Sequence, residues 1–272
     1  MKRMTRLLSG AVLAALTVLP VPAAAQDFDP VTAQVLQGWI LPDGRRVAAI
    51  QLTLEPGWKT YWRVPGEAGI PPQFDWRRAR NIAAVDVSWP TPTVSSQNGL
   101  RSVGYSGQVT LPLHITPKRS DRPMRLRTRM SIGVCAEVCL PYTLDIDTTL
   151  DSADTSPTPA IVAALDDMPI AAKDAGVSRV ACRIAPSEYG MSIEARVTLP
   201  HTGGTEVAVI EPGAPGIWVG EADTTRQGNT LVAVSEMIHP DGGPFSVDRS
   251  ALRITILGGK YAVDVQGCGA AG

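Results

Sequence analysis

Apolar and polar residues alternate in short runs along most of this chain, and the runs have the period of strands. Val47-Ala48-Ala49-Ile50-Gln51-Leu52-Thr53-Leu54 opens the pattern, and Glu55-Pro56-Gly57 ends it in a turn. Trp58 to Val64 places aromatic and β-branched residues in alternation, which suits a pleated surface. Pro65 to Pro72 is a break, rigid through proline and permissive through glycine. Phe74-Asp75-Trp76 and Val85 to Pro90 read as short strands. Val109 to Ile115 is a further strand, and its Pro112 predicts an edge position. Met124 to Met130 alternates with Arg125, Arg127 and Arg129, which predicts a strand with one solvated basic face. Leu144 to Leu150 alternates again, whereas Thr91 to Gly104 is polar and reads as a long loop.

Asp151 to Pro159 is rich in Ser, Thr, Asp and Pro and reads as a linker. Ala160 to Lys173 is the best helix candidate, with Ile161, Val162, Leu165 and Met168 near helical spacing and Pro169 interrupting it. Beyond it come Val177 to Ile184, Met191 to Leu199, Glu206 to Ile210, Gly216 to Val219, Thr230 to Met237 and Leu252 to Leu257. Each is short and bounded by turn residues, so a second set of strands is expected, as a smaller sandwich-like unit. With 25 glycines, 23 prolines and few helix signals, the expected fold class is all-β. The expected divisions are 1–25, 26–152, 153–175 for linker and short helix, and 176–272.

The first segment has its own logic. Lys2, Arg3 and Arg6 precede the mostly apolar run Leu7 to Val21, and Ala23-Ala24-Ala25 follows as a small-residue cleavage site. This predicts a Sec-type signal peptide removed after Ala25, with an uncleaved anchor as the alternative. No later run is apolar for long enough to cross a membrane, so an exported protein in the periplasm is expected, in a compartment that permits disulfides. The formal net charge of −1 falls to about −4 without the three basic residues of that segment. That balance argues against nucleic acid as a partner.

Candidate chemistry lies in the four cysteines. Cys135 and Cys139 are separated by three residues, Ala136-Glu137-Val138. An unbroken strand would hold their Cα atoms about 13 Å apart, and a disulfide needs roughly 4.4–6.8 Å. If they pair, the chain folds back between them, as a tight hairpin or one helical turn. On spacing alone the pair is open to three readings: a structural staple, a redox-active disulfide, or a two-thiolate site for a soft ion such as Cu(I). Met130 is near in sequence; His114, His201 and His239 are not. Cys182 and Cys268 fall near the two ends of the C-terminal half, and a bridge between them is expected to be structural. Of the three possible pairings this one leaves Cys135 with Cys139, while crossed pairings would span both halves. No phosphate-binding glycine loop, hydrolase motif or usual zinc spacing is present, and no cofactor or metal site is expected.

Four stretches carry a resemblance when taken together. They are Gly57 to Pro71, Val87-Ser88-Trp89-Pro90, Val103 to Leu113, and Val134-Cys135-Ala136-Glu137-Val138-Cys139-Leu140-Pro141, in that order. From about Val31 to Leu150 the chain resembles the periplasmic N-terminal domain of the DsbD thiol:disulfide interchange proteins, and looks closer still to the ScsB-like (suppressor of copper sensitivity) branch. Leu252 to Cys268 also looks like the end of the periplasmic region in that branch. The resemblance implies an immunoglobulin-like β-sandwich with a redox-active cysteine pair. It implies Cys139 as the exchanging thiol and Cys135 as the resolving one. It further implies electron relay between a membrane-embedded thiol carrier of the DsbD/CcdA type and thioredoxin-like periplasmic proteins. A capping loop is implied within Val94 to Val103.

Two departures qualify what is carried over. The best-known DsbD domains have five residues between these cysteines, and this chain has three. The sequence also shows no membrane carrier and no Cys-x-x-Cys, so either separate proteins supply electrons or the domain has lost or changed the reductase task. Glu137 between the cysteines would oppose thiolate formation if close, and Arg129 is the candidate to offset it. A copper-binding or docking module with a permanent disulfide is the alternative function.

Overall fold

The computed structural model describes residues 29–67, 69–97, 99–150, 156–242 and 245–270. The expected signal segment and the first residues of the linker lie outside them. Ten strands come first: β1 Val31–Ile40, β2 Arg46–Leu54, β3 Lys59–Tyr61, β4 Gln73–Asp75, β5 Ile82–Val87, β6 Thr93–Gln97, β7 Leu100–Ser106, β8 Gln108–Pro117, β9 Met124–Cys135 and β10 Cys139–Leu150. The helix α1, Pro159–Asp166, follows. Ten shorter strands complete the fold: β11 Ile170–Ala171, β12 Arg179–Pro186, β13 Met191–Thr198, β14 Val207–Glu211, β15 Trp218–Val219, β16 Asp223–Gln227, β17 Thr230–Ile238, β18 Arg253–Leu257, β19 Ala262–Gln266 and β20 Gly269–Ala270. The described residues are all-β apart from α1, as the patterning predicts.

The N-terminal strands form two antiparallel sheets, ordered β1-β2-β8-β5 and β10-β9-β3-β7-β6, with β4 also on β9. Ala48, Ile50, Leu52, Leu111, Leu113 and Ile115 of the first sheet meet Leu126, Met130, Ile132 and Val134 of β9 in one core. On β9 every second residue from Met124 to Ile132 is buried, and the arginines between them point away. The register sets Asp145 opposite Arg129 and Asp147 opposite Arg127 on β10. Asp147 accepts from Arg125 and pairs with Arg127 at 3.2 Å, and Asp145 lies 3.5 Å from Arg129. Each arginine of the expected basic face therefore stands beside a carboxylate, with two aspartates serving three arginines.

Strand β2 is buried on both sides for a reason that alternation alone does not supply. Its outward Val47 and Ala49 pack against Ile161 of α1. The helix is tied there by Thr158, whose hydroxyl donates to the Gln37 carbonyl at 2.6 Å instead of capping the helix. The helix ends at Asp166, short of the expected Lys173, because the residue before a proline disfavours helical geometry and Pro169 is close.

Two further expectations are corrected. Strand β8 lies between β2 and β5, so Pro112 is interior and not at an edge. Its carbonyl accepts from Ser88 N just past the end of β5. The missing proline N–H faces that same side, where the ladder is running out, so little hydrogen bonding is lost. Residues 93–106 form the hairpin of β6 and β7 where a long loop is expected. Ser95 and Ser102 pair through their hydroxyls across it.

The C-terminal strands repeat the plan without a sequence repeat: sheets β11-β19-β18-β14 and β15-β17-β13-β12-β20, with β16 on β17. Ala208, Ile210, Ile254, Ile256, Val263 and Val265 share a core with Ile193, Ala195, Val197 and Leu231. The alternate residues Val207, Val209, Leu257 and Ala262 join the N-terminal core instead. The sheet containing β14 is thus a middle layer packed on both faces, and its face toward the N-terminal half also carries Glu211, Arg253, Thr255 and Asp264. Cys182 and Cys268 are joined across the second core, their Cα atoms 5.8 Å apart.

Candidate functional site

Strands β9 and β10 are joined by only Ala136, Glu137 and Val138, and the register sets Cys135 directly opposite Cys139. Their Cα atoms are 4.1 Å apart and the sulfurs are bonded. Of the two turn geometries that covalent reach allows, the chain uses the hairpin. The two sulfurs occupy unlike positions. Cys135 is fully buried, against β3, where Lys59 is its register partner. Cys139 is exposed, and Val138 and Leu140 beside it are 65 % and 44 % exposed. Cys139 is thus the member of the pair that faces solvent, and Cys135 the one shielded from it.

Tyr61, at the end of β3, brings a polar side chain to the disulfide. Its hydroxyl lies 2.7 Å from Cys135 Sγ and 3.3 Å from Cys139 Sγ. Bonded sulfurs carry no proton, so the tyrosine O–H donates to them. Burial pushes the Tyr61 phenol above its ordinary range, which keeps it protonated as a donor. The ring sits in a slot formed by two glycines. A Cβ on Gly133 would come within 2.9 Å of Cδ2 and Cε2, and one on Gly69 within 2.6 Å of Cδ1. Thr60 donates to the Gly133 carbonyl at 2.8 Å, fixing β3 to β9 beside the slot.

Other residues singled out in the sequence lie elsewhere. Arg129 is six residues before Cys135 on a continuous strand, about 20 Å by strand rise, and it faces Asp145. It does not offset the charge of Glu137, which is exposed at the hairpin tip. Met130 is fully buried in the core. In the hairpin holding Val94 to Val103, Ser102 accepts from Lys59 Nζ, the register partner of Cys135, and Arg101 pairs with Glu221 and donates to the Ala222 carbonyl. Pro65, Gly69 and Ile70 also stand against the Tyr61 ring. Tyr61 itself went unmarked, although it stands within the stretch Gly57 to Pro71 that carries the family resemblance. Among the described residues no cluster of three or more His, Cys, Asp and Glu could hold a metal ion.

A hairpin disulfide with one buried and one exposed cysteine thus stands at the end of an immunoglobulin-like sandwich. Residues 26–151 match the family described as thiol:disulfide interchange protein DsbD, N-terminal. The fold of the whole chain is similar to the N-terminal periplasmic domain of ScsB from Proteus mirabilis, with a TM-score of 0.67 at 20 % identity. The likeness covers 93 % of this chain and 97 % of that one. The ScsB-like resemblance read from the sequence therefore extends to both halves of the fold. No curated protein matches the chain. Among the described residues no helix is long and apolar enough to cross a membrane.

Proposed function

We propose that this protein is a periplasmic thiol:disulfide exchange module with Cys139 as the exchanging sulfur and Cys135 as the resolving one. The observation that carries the reading is the unequal exposure of the two sulfurs, with a protonated tyrosine hydroxyl beside the buried one. In the reducing direction, the Cys139 thiolate attacks one sulfur of a partner disulfide and releases the other as a thiolate. Cys135 then loses its proton and attacks Cys139, closing the intramolecular bond and expelling the partner's second thiolate. Two electrons pass to the partner. Recharging runs this in reverse: a reduced thiol protein attacks exposed Cys139, and Cys135 leaves as a thiolate stabilised by the Tyr61 hydroxyl.

The partners proposed are thioredoxin-like periplasmic proteins on one side and a membrane thiol carrier system on the other. Cys182–Cys268 takes a structural part, since Cys182 is fully buried and Cys268 nearly so.

The deciding experiment equilibrates the protein with thiol buffers and maps trapped cysteines by mass spectrometry. A potential for Cys135–Cys139 between roughly −180 and −270 mV, with Cys182–Cys268 intact, is expected. A potential below about −300 mV overturns the reading and leaves a stapled docking or copper-binding module.

A further inference from the structure

A second set of polar contacts joins this site to the C-terminal sheets. Arg63 Nε lies 3.0 and 3.3 Å from the two carboxylate oxygens of Glu211 on β14, and Nη2 lies 2.9 Å from one of them. Nη2 also donates to Thr255 Oγ1 on β18 at 3.2 Å. The guanidinium carbon stands 3.8 Å from the centre of the Trp62 ring. A forked pair of this kind fixes the plane of the guanidinium as well as its position.

What Arg63 holds in place is the surround of Tyr61. Tyr61 is two residues before it and Pro65 two after. Pro65 Cβ and Tyr61 Cδ1 both come within 2.6 Å of where a Gly69 Cβ would stand. Arg63 also lines a cavity of about 360 Å³ between the two halves, with Val64, Val207, Trp218 and Glu221 on its walls.

We propose that Glu211 is a positioning residue for disulfide exchange: from the C-terminal sheet it holds Arg63, and through Arg63 it keeps the Tyr61 hydroxyl at the Cys135 sulfur. This rests on the exchange reading above. The C-terminal half thereby acts on the rate of exchange at a site to which it contributes no sulfur.

The test is a double-mutant cycle on the full chain. Glu211→Gln and Arg63→Lys are each made in the native and the Tyr61→Phe backgrounds. The rate at which dithiothreitol reduces Cys135–Cys139 is followed across pH, with thermal unfolding recorded alongside. Glu211→Gln is expected to slow reduction roughly threefold or more in the native background and to add nothing in the Tyr61→Phe background. Arg63→Lys keeps the charge, loses the fork, and is expected to do the same; it decides the matter if Glu211→Gln does not fold. Equal slowing in both backgrounds, or none in either, overturns the proposal. Such a result leaves the exchange reading standing on its own measured potential.

Discussion

The Tyr61 hydroxyl stands 2.7 Å from the sulfur of Cys135, a residue 74 positions away in the chain. Exchange forms or discharges a thiolate at that sulfur, and a hydrogen bond to a charged group is worth more than one to a neutral group. Tyr61→Phe removes the donor and keeps the ring. Reduction of the disulfide is expected to slow about tenfold or more. The Cys135 thiol is expected to titrate higher, as read from the pH dependence of its alkylation. Because burial raises the phenol's own pKa, the native donor persists through neutral and mildly alkaline pH.

Unequal exposure of the two sulfurs makes the single-cysteine variants unequal. Cys135→Ser leaves the exposed Cys139 thiol, which is expected to accumulate a mixed disulfide with a small aromatic disulfide reagent. Cys139→Ser leaves the buried Cys135, which is expected to react far more slowly. Comparable rates in native buffer would assign the exchanging role wrongly.

The glycine slot around Tyr61 leaves no room for a methyl group. Gly133→Ala would bring a Cβ within 2.9 Å of the ring and 2.8 Å of Ile70 Cβ. A loss of about 1–3 kcal/mol in unfolding free energy is expected, measured by denaturant titration. The clash is with ring carbons that phenylalanine shares, so Tyr61→Phe is not expected to relieve it.

Glu206 gives the C-terminal half an acid-sensitive point. Burial pushes its carboxyl up, but the bonds from Arg226 and from the Thr202 amide and hydroxyl outweigh this and hold it below its ordinary range. A folded pKa below the unfolded one means stability that is present above the unfolded value of about 4.3 and lost as pH falls through the folded one. Native protein is expected to lose stability below about pH 4 more steeply than Glu206→Gln. At neutral pH, Glu206→Ala is expected to cost roughly 3 kcal/mol or more, because it leaves the largely buried Arg226 without its partner.

Removing Cys182 and Cys268 together opens a link between residues 86 positions apart. The chain-entropy argument puts the loss at about 4–5 kcal/mol. The thermal midpoint is expected to fall while the reduction potential of Cys135–Cys139 stays where it was.

Much of this was legible in the sequence. The inward face of β9 and its arginine face follow from alternation over Met124 to Ile132. The turn between Cys135 and Cys139 follows from covalent reach, given that they pair. Pro112 misled because proline's cost in a sheet depends on where its missing N–H points, which the run Val109 to Ile115 does not state. The hairpin of β6 and β7 was missed because Ser95, Ser96 and Ser102 carry no apolar alternation. Its strands are held by their neighbours and not by a buried face of their own.

The sequence by itself determined the class of fold, the reversal of the chain between Cys135 and Cys139 if they pair, and the resemblance to the DsbD N-terminal family that residues 26–151 match. Each depends on residues close together in the chain, where period, turn chemistry and bond lengths leave few solutions. Tertiary structure alone decided which sulfur is buried, that Tyr61 meets it, and that Glu211 reaches Arg63 across 148 residues. Those facts depend on which strands become neighbours and in what register. That choice is made by burying whole faces at once, so no local stretch of sequence contains it.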